Sequence, residues 1–280
     1  MAVNITIPPD NKNPITLGNE DTLTVNAGGT SKNITINDGA TETVNAGGKA
    51  LNTTVNDGGM LEVNGAINQT TLIDQTTING GGVILTHATA DHTTLNFSVA
   101  FPFSQLDAHD HSVVKNIVIT GGTLLGTTRG LTLDATSTVE NITFRDPSGK
   151  GHAGLAVDNP QNVTGFIKGL SIGDFLQFGL VQSLDVTGFE LDTKKNDLMI
   201  TYNDATHTGL HATYHLQAMQ PHTTFQLTQG TLPGGIHFSD LTVIAEKTVG
   251  QHSASINDST DLVSLVGVAH GHGHAGDALL

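Results

Sequence analysis

From residue 21 the chain alternates polar and apolar positions in runs of four or five residues, and each run is followed by Asn, Asp and Gly. Thr22-Leu23-Thr24-Val25 is the first such run, closed by Asn26-Ala27-Gly28-Gly29. Lys32-Asn33-Ile34-Thr35-Ile36 is the second, closed by Asn37-Asp38-Gly39. A period of two predicts half-buried strands, with Val25 and Ile36 on one face and the threonines on the other. Asn and Gly accept positive φ, so Asn26, Gly28, Gly29, Asn37 and Gly39 predict turns.

The whole unit then recurs. Residues 21–39 and 40–58 align without a gap, with 12 of 19 positions identical, and a third copy starts at Gly59 before it drifts. Asn45, Gly47, Gly48, Asn56 and Gly58 are the corners of the second copy. A unit of two short strands has too few apolar side chains to bury a core by itself. Stacked at the inter-strand spacing of about 4.8 Å, Val25, Val44 and Val63 form one internal column and Ile36 and Val55 another. Asn26, Asn45 and Asn64 then form a ladder at one corner. This predicts an all-β fold, a parallel β-helix or β-solenoid with rungs of about 19 residues. A hairpin meander also alternates strand and turn, but it requires neither a fixed period nor the same residue at the same corner.

The units Val25-Asn26-Ala27-Gly28-Gly29, Val44-Asn45-Ala46-Gly47-Gly48 and Val55-Asn56-Asp57-Gly58-Gly59 resemble the AIDA-type strand-loop-strand repeats of bacterial adhesins. The resemblance covers about a quarter of the chain strongly and about half weakly. It implies a parallel β-helix displayed outside the cell. The chain departs from the autotransporter pattern: it starts without a basic and apolar leader, and it ends without the long amphipathic strands of an outer-membrane barrel.

The rest of the chain divides by vocabulary. Residues 1–20 read as an extended segment around Pro8, Pro9 and Pro14, and residues 21–164 as the solenoid, its later rungs longer and carrying an insertion from Phe101 to His111. Residues 165–250 have more aromatic strands, such as Phe175-Leu176-Gln177-Phe178, and read as a β-rich module capping the open end. Residues 251–280 form a polar, Gly/His-rich tail. Its ending, Asp277-Ala278-Leu279-Leu280, resembles the uncleaved signal of type I secretion, which implies export without an N-terminal leader. Calcium-binding nonapeptide repeats, common in substrates of that route, are absent.

Composition narrows the partners. There are 33 Gly, no Cys, only 11 Lys+Arg, and a formal net charge of −15. That balance excludes a phosphate-backbone binder, whose affinity comes from Lys and Arg. No apolar run reaches the roughly 20 residues of a membrane-spanning helix, and membrane insertion is not expected. Asp107, His109, Asp110 and His111 form a dense cluster of carboxylate and imidazole. It reads as a solvated loop, as a metal site (carboxylates suit Ca²⁺, imidazole suits transition metals), or as acid/base machinery for sugar cleavage. Asp38 and Asp57 at stacked corners offer a further Ca²⁺ position, and His270, His272 and His274 give the tail incidental metal affinity. His207, His211 and His215 read as surface histidines. Outward threonines repeat between two rungs at Thr22/Thr41, Thr24/Thr43 and Thr35/Thr54, a pattern also used for ice binding, but Met60 and Glu62 interrupt two of these columns.

No Gly-x-Ser-x-Gly elbow, phosphate loop or zinc-protease motif is present. The sequence therefore predicts a secreted bacterial structural protein for adhesion, biofilm matrix or surface layer, self-associating end to end into filaments. A cell surface or a polysaccharide is the expected partner. The alternative is a β-helix protein that binds or cleaves polysaccharide.

Overall fold

The computed structural model describes residues 3–7, 10–11, 13–66, 70–96, 104–120, 130–145, 153–179, 183–232 and 235–246. The tail, with Asp277, Ala278, Leu279, Leu280 and its three histidines, lies outside the described residues, as do Phe101, Pro102 and Phe103.

The chain winds as a parallel β-solenoid. One sheet stacks Asn4–Ile7, Thr22–Val25, Thr41–Asn45, Met60–Asn64 and Gly82–Thr86 in parallel. It continues through Gln105–His109, Leu131–Leu133, Gly154–Val157 and Phe175–Phe178. The other sheet begins with Ile15–Leu17, Thr30–Ile36 and Lys49–Asn56. Two rungs follow whose strands are split, Leu72–Asp74 with Thr77–Asn79, then Thr89–Asp91 with Thr94–Asn96. Val113–Thr120, Thr138–Arg145 and Val163–Lys168 complete it. The segment before residue 21 thus contributes the first rung, and the parallel ladders run past residue 164, to Phe178 in one sheet and to the strand Leu210–Gln217 in the other.

The core consists of columns. Val25, Val44 and Val63 stack in register and are fully buried, and the column continues upward through Leu85, Ala108, Leu133, Val157 and Phe178. Ile36 and Val55 stack in the same way and lead to Ile78, Leu95 and Ile119. Each buried Val, Leu or Ile contributes about 1.5–3 kcal/mol relative to exposure, so the columns add to the cohesion that the backbone ladders give between rungs.

Two features depart from the sequence pattern. The second strand of each rung is bent. Asn33, Asn52, Gln75, His92, Asn116 and Asn141 occupy left-handed backbone at φ 48–61°, and Gly165 takes that position at φ 72°. The bend breaks the alternation, so that Ser31 and Ile34, three residues apart, both point inward. It creates a third wall, whose inward column is Ser31, Ala50, Ile73, Ala90, Val114, Val139 and Val163. A lone Asn inside an apolar alternation carries no turn cluster, which is why the sequence shows one straight strand. Rung length also varies. Equivalent corner residues are 19 apart at Asn37–Asn56, 23 at Asn56–Asn79, 17 at Asn79–Asn96 and 25 at Asn116–Asn141.

At the far end the direction of pairing changes. Phe175–Phe178 pairs antiparallel with Ile236–Ala245, which forms a hairpin with Thr223–Leu232. On the other sheet Val163–Lys168 still pairs in parallel with Leu210–Gln217, and the change comes one strand later, with the antiparallel strands Asp197–Asn203 and Asp185–Asp192. Tyr214 stacks on Phe178, with ring centroids 6.3 Å apart, and donates its hydroxyl to the Pro160 carbonyl at 3.0 Å. Both sheets of the solenoid therefore run on into the C-terminal strands, which share the same buried core.

The paired glycines at the corners have separate duties. Gly28 has φ +78° with open space where a Cβ would stand, whereas a Cβ at Gly48 would lie 2.9 Å from the Val25 carbonyl oxygen. The first needs the backbone freedom and the second needs the missing side chain. Replacing Gly48 by Ala should therefore cost about 1–3 kcal/mol through overpacking. Gly28→Asn should cost less than about 1 kcal/mol, since Asn accepts this backbone. Urea denaturation midpoints of the two variants check the order.

Candidate functional site

The outer surface is built from the same register as the core. Side chains at equivalent corners hydrogen-bond from rung to rung. Asn45 Nδ2 donates to Asn26 Oδ1 at 2.9 Å, and Asn64 stands in register above Asn45. At the next corner Asn56 donates to Asn37 (2.8 Å), Asn79 to Asn56 (3.3 Å) and Asn96 to Asn79 (2.7 Å). At the bend Asn52 donates to Asn33 at 2.5 Å and Asn141 to Asn116 at 3.2 Å. Asn56 and Asn79 each use the NH₂ toward one neighbour and the carbonyl toward the other, the geometry that a one-rung translation produces without adjustment. Beside the longest Asn ladder runs a column of threonines, Thr16, Thr35, Thr54, Thr77 and Thr94. The sequence pattern shows only its Thr35/Thr54 pair. The other members are hidden by the change in rung length after residue 58.

The residues singled out for chemistry are distributed differently from their sequence grouping. Asp107 and His109 lie on the outward side of Gln105–His109, and Asp107 Oδ2 accepts from Gln105 Nε2 at 2.7 Å. Asp110 and His111 form the following turn at φ 52° and 62°, where the Asp110 N–H donates to Asp134 Oδ2 and the His111 ring stacks on His87. The four do not converge. Among the described residues the one three-donor group with all donor atoms within 4.8 Å is Asp74, Asp91 and His92, which the sequence does not reveal because the two carboxylates are on different rungs. Asp38 and Asp57 occupy equivalent corner positions, and the Asp38 carboxylate packs against Gly58, 2.1 Å from where a Cβ would be. The exposed His207 and His215 are paired with Asp204 and Asp197, and His211 contacts Thr201 Oγ1. The Thr206 and His207 N–H groups hold Asp204 down to about 2.

Among the buried titratable groups of the described residues, which include Asp158, Asp174 and Tyr214, Glu42 is the one set in an apolar column of the solenoid. Glu42 stands between Leu23 and Leu61 in an otherwise apolar column and is fully buried. Its Oε1 accepts from Ser31 Oγ at 2.5 Å, and its Oε2 has no partner. Burial pushes the carboxyl up to about 7, against the smaller opposing effect of the Ser31 hydrogen bond. The residue resembles its surface neighbours Glu20 and Glu62 in sequence; only the position one step out of phase with the threonines marks it as inward.

No protein-family model matches the chain, and no curated protein matches it. Among solved structures it is similar to the TibC-catalysed, hyper-glycosylated TibA fragment 55–350. The two share 16% identity and a TM-score of 0.27, over 62% of this chain and 77% of that one. A likeness of that strength carries no argument about function.

The Glu42 geometry sets a pH dependence. A carboxyl raised to about 7 from its ordinary 4.5 favours folding fully below pH 4.5, and that contribution is lost as pH rises through 7. Its size is on the order of 3 kcal/mol. Glu42→Leu should restore an apolar column and melt higher than the parent at pH 8. The difference between the two melting temperatures should shrink steadily toward pH 5; a constant difference would show that Glu42 does not titrate in this range.

Proposed function

We propose that the protein is an extracellular bacterial structural protein, a rod that works in adhesion or in a surface matrix by presenting one repeated surface. The observation that carries this reading is the preserved register of outward side chains. The Thr16–Thr94 column repeats the same hydroxyl over five successive rungs and the adjoining Asn37–Asn96 ladder the same amide over four, before Val118 and Thr120 take over these positions. Individually such contacts are weak, but a row of them on a stiff support engages a repetitive partner many times at once. A cell-surface or matrix polysaccharide is the partner such a row of hydroxyls and amides fits. Here the protein binds the polymer and does not cleave it.

Self-association is part of the same proposal. Among the described residues Asn4–Ile7 and Ile15–Leu17 are paired on one edge only. The carbonyls of Val3 and Ile7 turn inward to the N–H groups of Thr22 and Asn26. The intervening Thr6 therefore directs its N–H and carbonyl to the outer edge, where a second copy can pair. With a formal net charge of −15, copies repel one another, and salt or divalent cations should favour their association.

Two experiments check these statements. Native protein should be found in the medium or on the cell surface, and it should co-sediment with insoluble matrix polysaccharide. Thr54→Arg with Thr77→Arg should abolish co-sedimentation while the melting temperature stays within a few degrees, and unchanged co-sedimentation would remove the threonine column from the reading. Separately, Thr6→Pro should leave the protein monomeric where the parent forms larger species by light scattering in high salt. A parent that stays monomeric throughout would eliminate end-to-end association.

A further inference from the structure

Asp74 and Asp91 lie directly opposite each other on adjacent rungs, in the strands Leu72–Asp74 and Thr89–Asp91. Like charges in register on one face of a sheet repel. The next residue in that column is Lys115, yet its ammonium is directed to Glu140 at 3.9 Å. What stands beside the two carboxylates instead is the imidazole of His92. The left-handed backbone of the bend (φ 48°) turns His92 back over the pair. Its Nδ1 is 3.2 Å from Asp74 Oδ1 and 3.1 Å from Asp91 Oδ1.

Nδ1 lies within hydrogen-bond distance of Asp74 Oδ1, while its approach to Asp91 Oδ1 accompanies the bond from the His92 N–H to that same oxygen. A divalent cation supports both. Metal bonds of about 2.0–2.2 Å place neighbouring donors roughly 2.8–3.1 Å apart in an octahedral sphere and roughly 3.3–3.6 Å apart in a tetrahedral one, and the separations of 3.2 and 3.1 Å lie close to the octahedral range. The position of Asp91 is fixed from outside the group. Its Oδ1 accepts from Asn116 Nδ2 and from the His92 N–H, each at 2.9 Å. Such supporting hydrogen bonds characterise metal-ligating carboxylates. Elsewhere along the bend the same position holds Asn33, Asn52, Gln75, Asn116, Asn141 or Gly165, and the Asn52 and Asn141 amides bond to the asparagine of the rung below.

We infer that Asp74, Asp91 and His92 form a binding site for a first-row divalent transition-metal ion, which clamps two adjacent rungs together. Two carboxylates and an imidazole suit zinc, manganese, cobalt or nickel. Calcium and magnesium prefer all-oxygen shells. His92 is largely exposed, with 62% of its side chain accessible, so water completes the coordination.

The test uses the full chain with His270, His272 and His274 replaced by Ala, which removes the tail as a competing chelator. Zinc titration by calorimetry should show one ion per chain, and saturating zinc should raise the melting temperature. His92→Gln and Asp74→Asn should each weaken binding at least tenfold and cancel the thermal shift. Gln is compatible with the bend, because Gln75 occupies the same conformation one rung earlier (φ 55°). Cobalt(II) should give a visible absorption band in the tail variant and none after His92→Gln. Equal zinc affinity in the tail variant and in His92→Gln, or no binding by the tail variant, would overturn the inference.

Discussion

Each rung is held on the previous one by parallel backbone hydrogen bonds, and every other property of the molecule depends on that register. A parallel ladder with no slip puts each side chain over its counterpart one rung away. Inside, this stacks Val25 on Val44 on Val63. At the corners it hands the amide of one asparagine to the carbonyl of the next. A slip of one residue would exchange inside and outside on the whole strand, so the dry columns and the polar ladders enforce the same alignment from opposite sides.

The register also amplifies any residue that does not suit its column. Glu42 is such a residue, since one carboxylate between two leucines has neither water nor a counter-charge. Ser31, its one hydrogen-bond donor, belongs to the rung below, so the carboxyl is accommodated only when the two rungs are correctly stacked. The stacked Asp74 and Asp91 are the outward equivalent, two charges brought together by a translation that neither selects by itself. A stacked architecture therefore concentrates chemistry at places where its own repetition is broken.

How much of this is visible in the sequence follows from the same principle. The turns at Asn26–Gly29 and Asn37–Gly39 and the alternation between them fix both the phase and the face of the first rungs, and their columns are as the repeat predicts. The β-solenoid class is legible for that reason. The third wall is not, because a single left-handed Asn33 does in one residue what a turn cluster does in several. The later columns are obscured because burial selects only for apolar character, so that Ala108 and Phe178 follow Val63 without any sequence identity. The Asp74–Asp91–His92 group needs a rung of 17 residues to assemble, and no extrapolation of the 19-residue period brings those side chains together. The local cluster Asp107–His111 was conspicuous only because its members adjoin in sequence; alternation along a strand and a turn then separate them.

The change from parallel to antiparallel pairing after Phe175–Phe178 has an evolutionary corollary. The rungs at residues 21–39 and 40–58 meet their neighbours through the same corners and the same register, while the C-terminal strand Ile236–Ala245 pairs antiparallel with the rung it adjoins. Gene segments encoding one rung can thus be duplicated or lost in the middle of the chain without redesign of the C-terminal strands. Rod length is then free to drift under selection for reach, at about 4.8 Å for each coil gained. The near-identity of residues 21–39 and 40–58, 12 of 19 positions, is the mark such a duplication leaves.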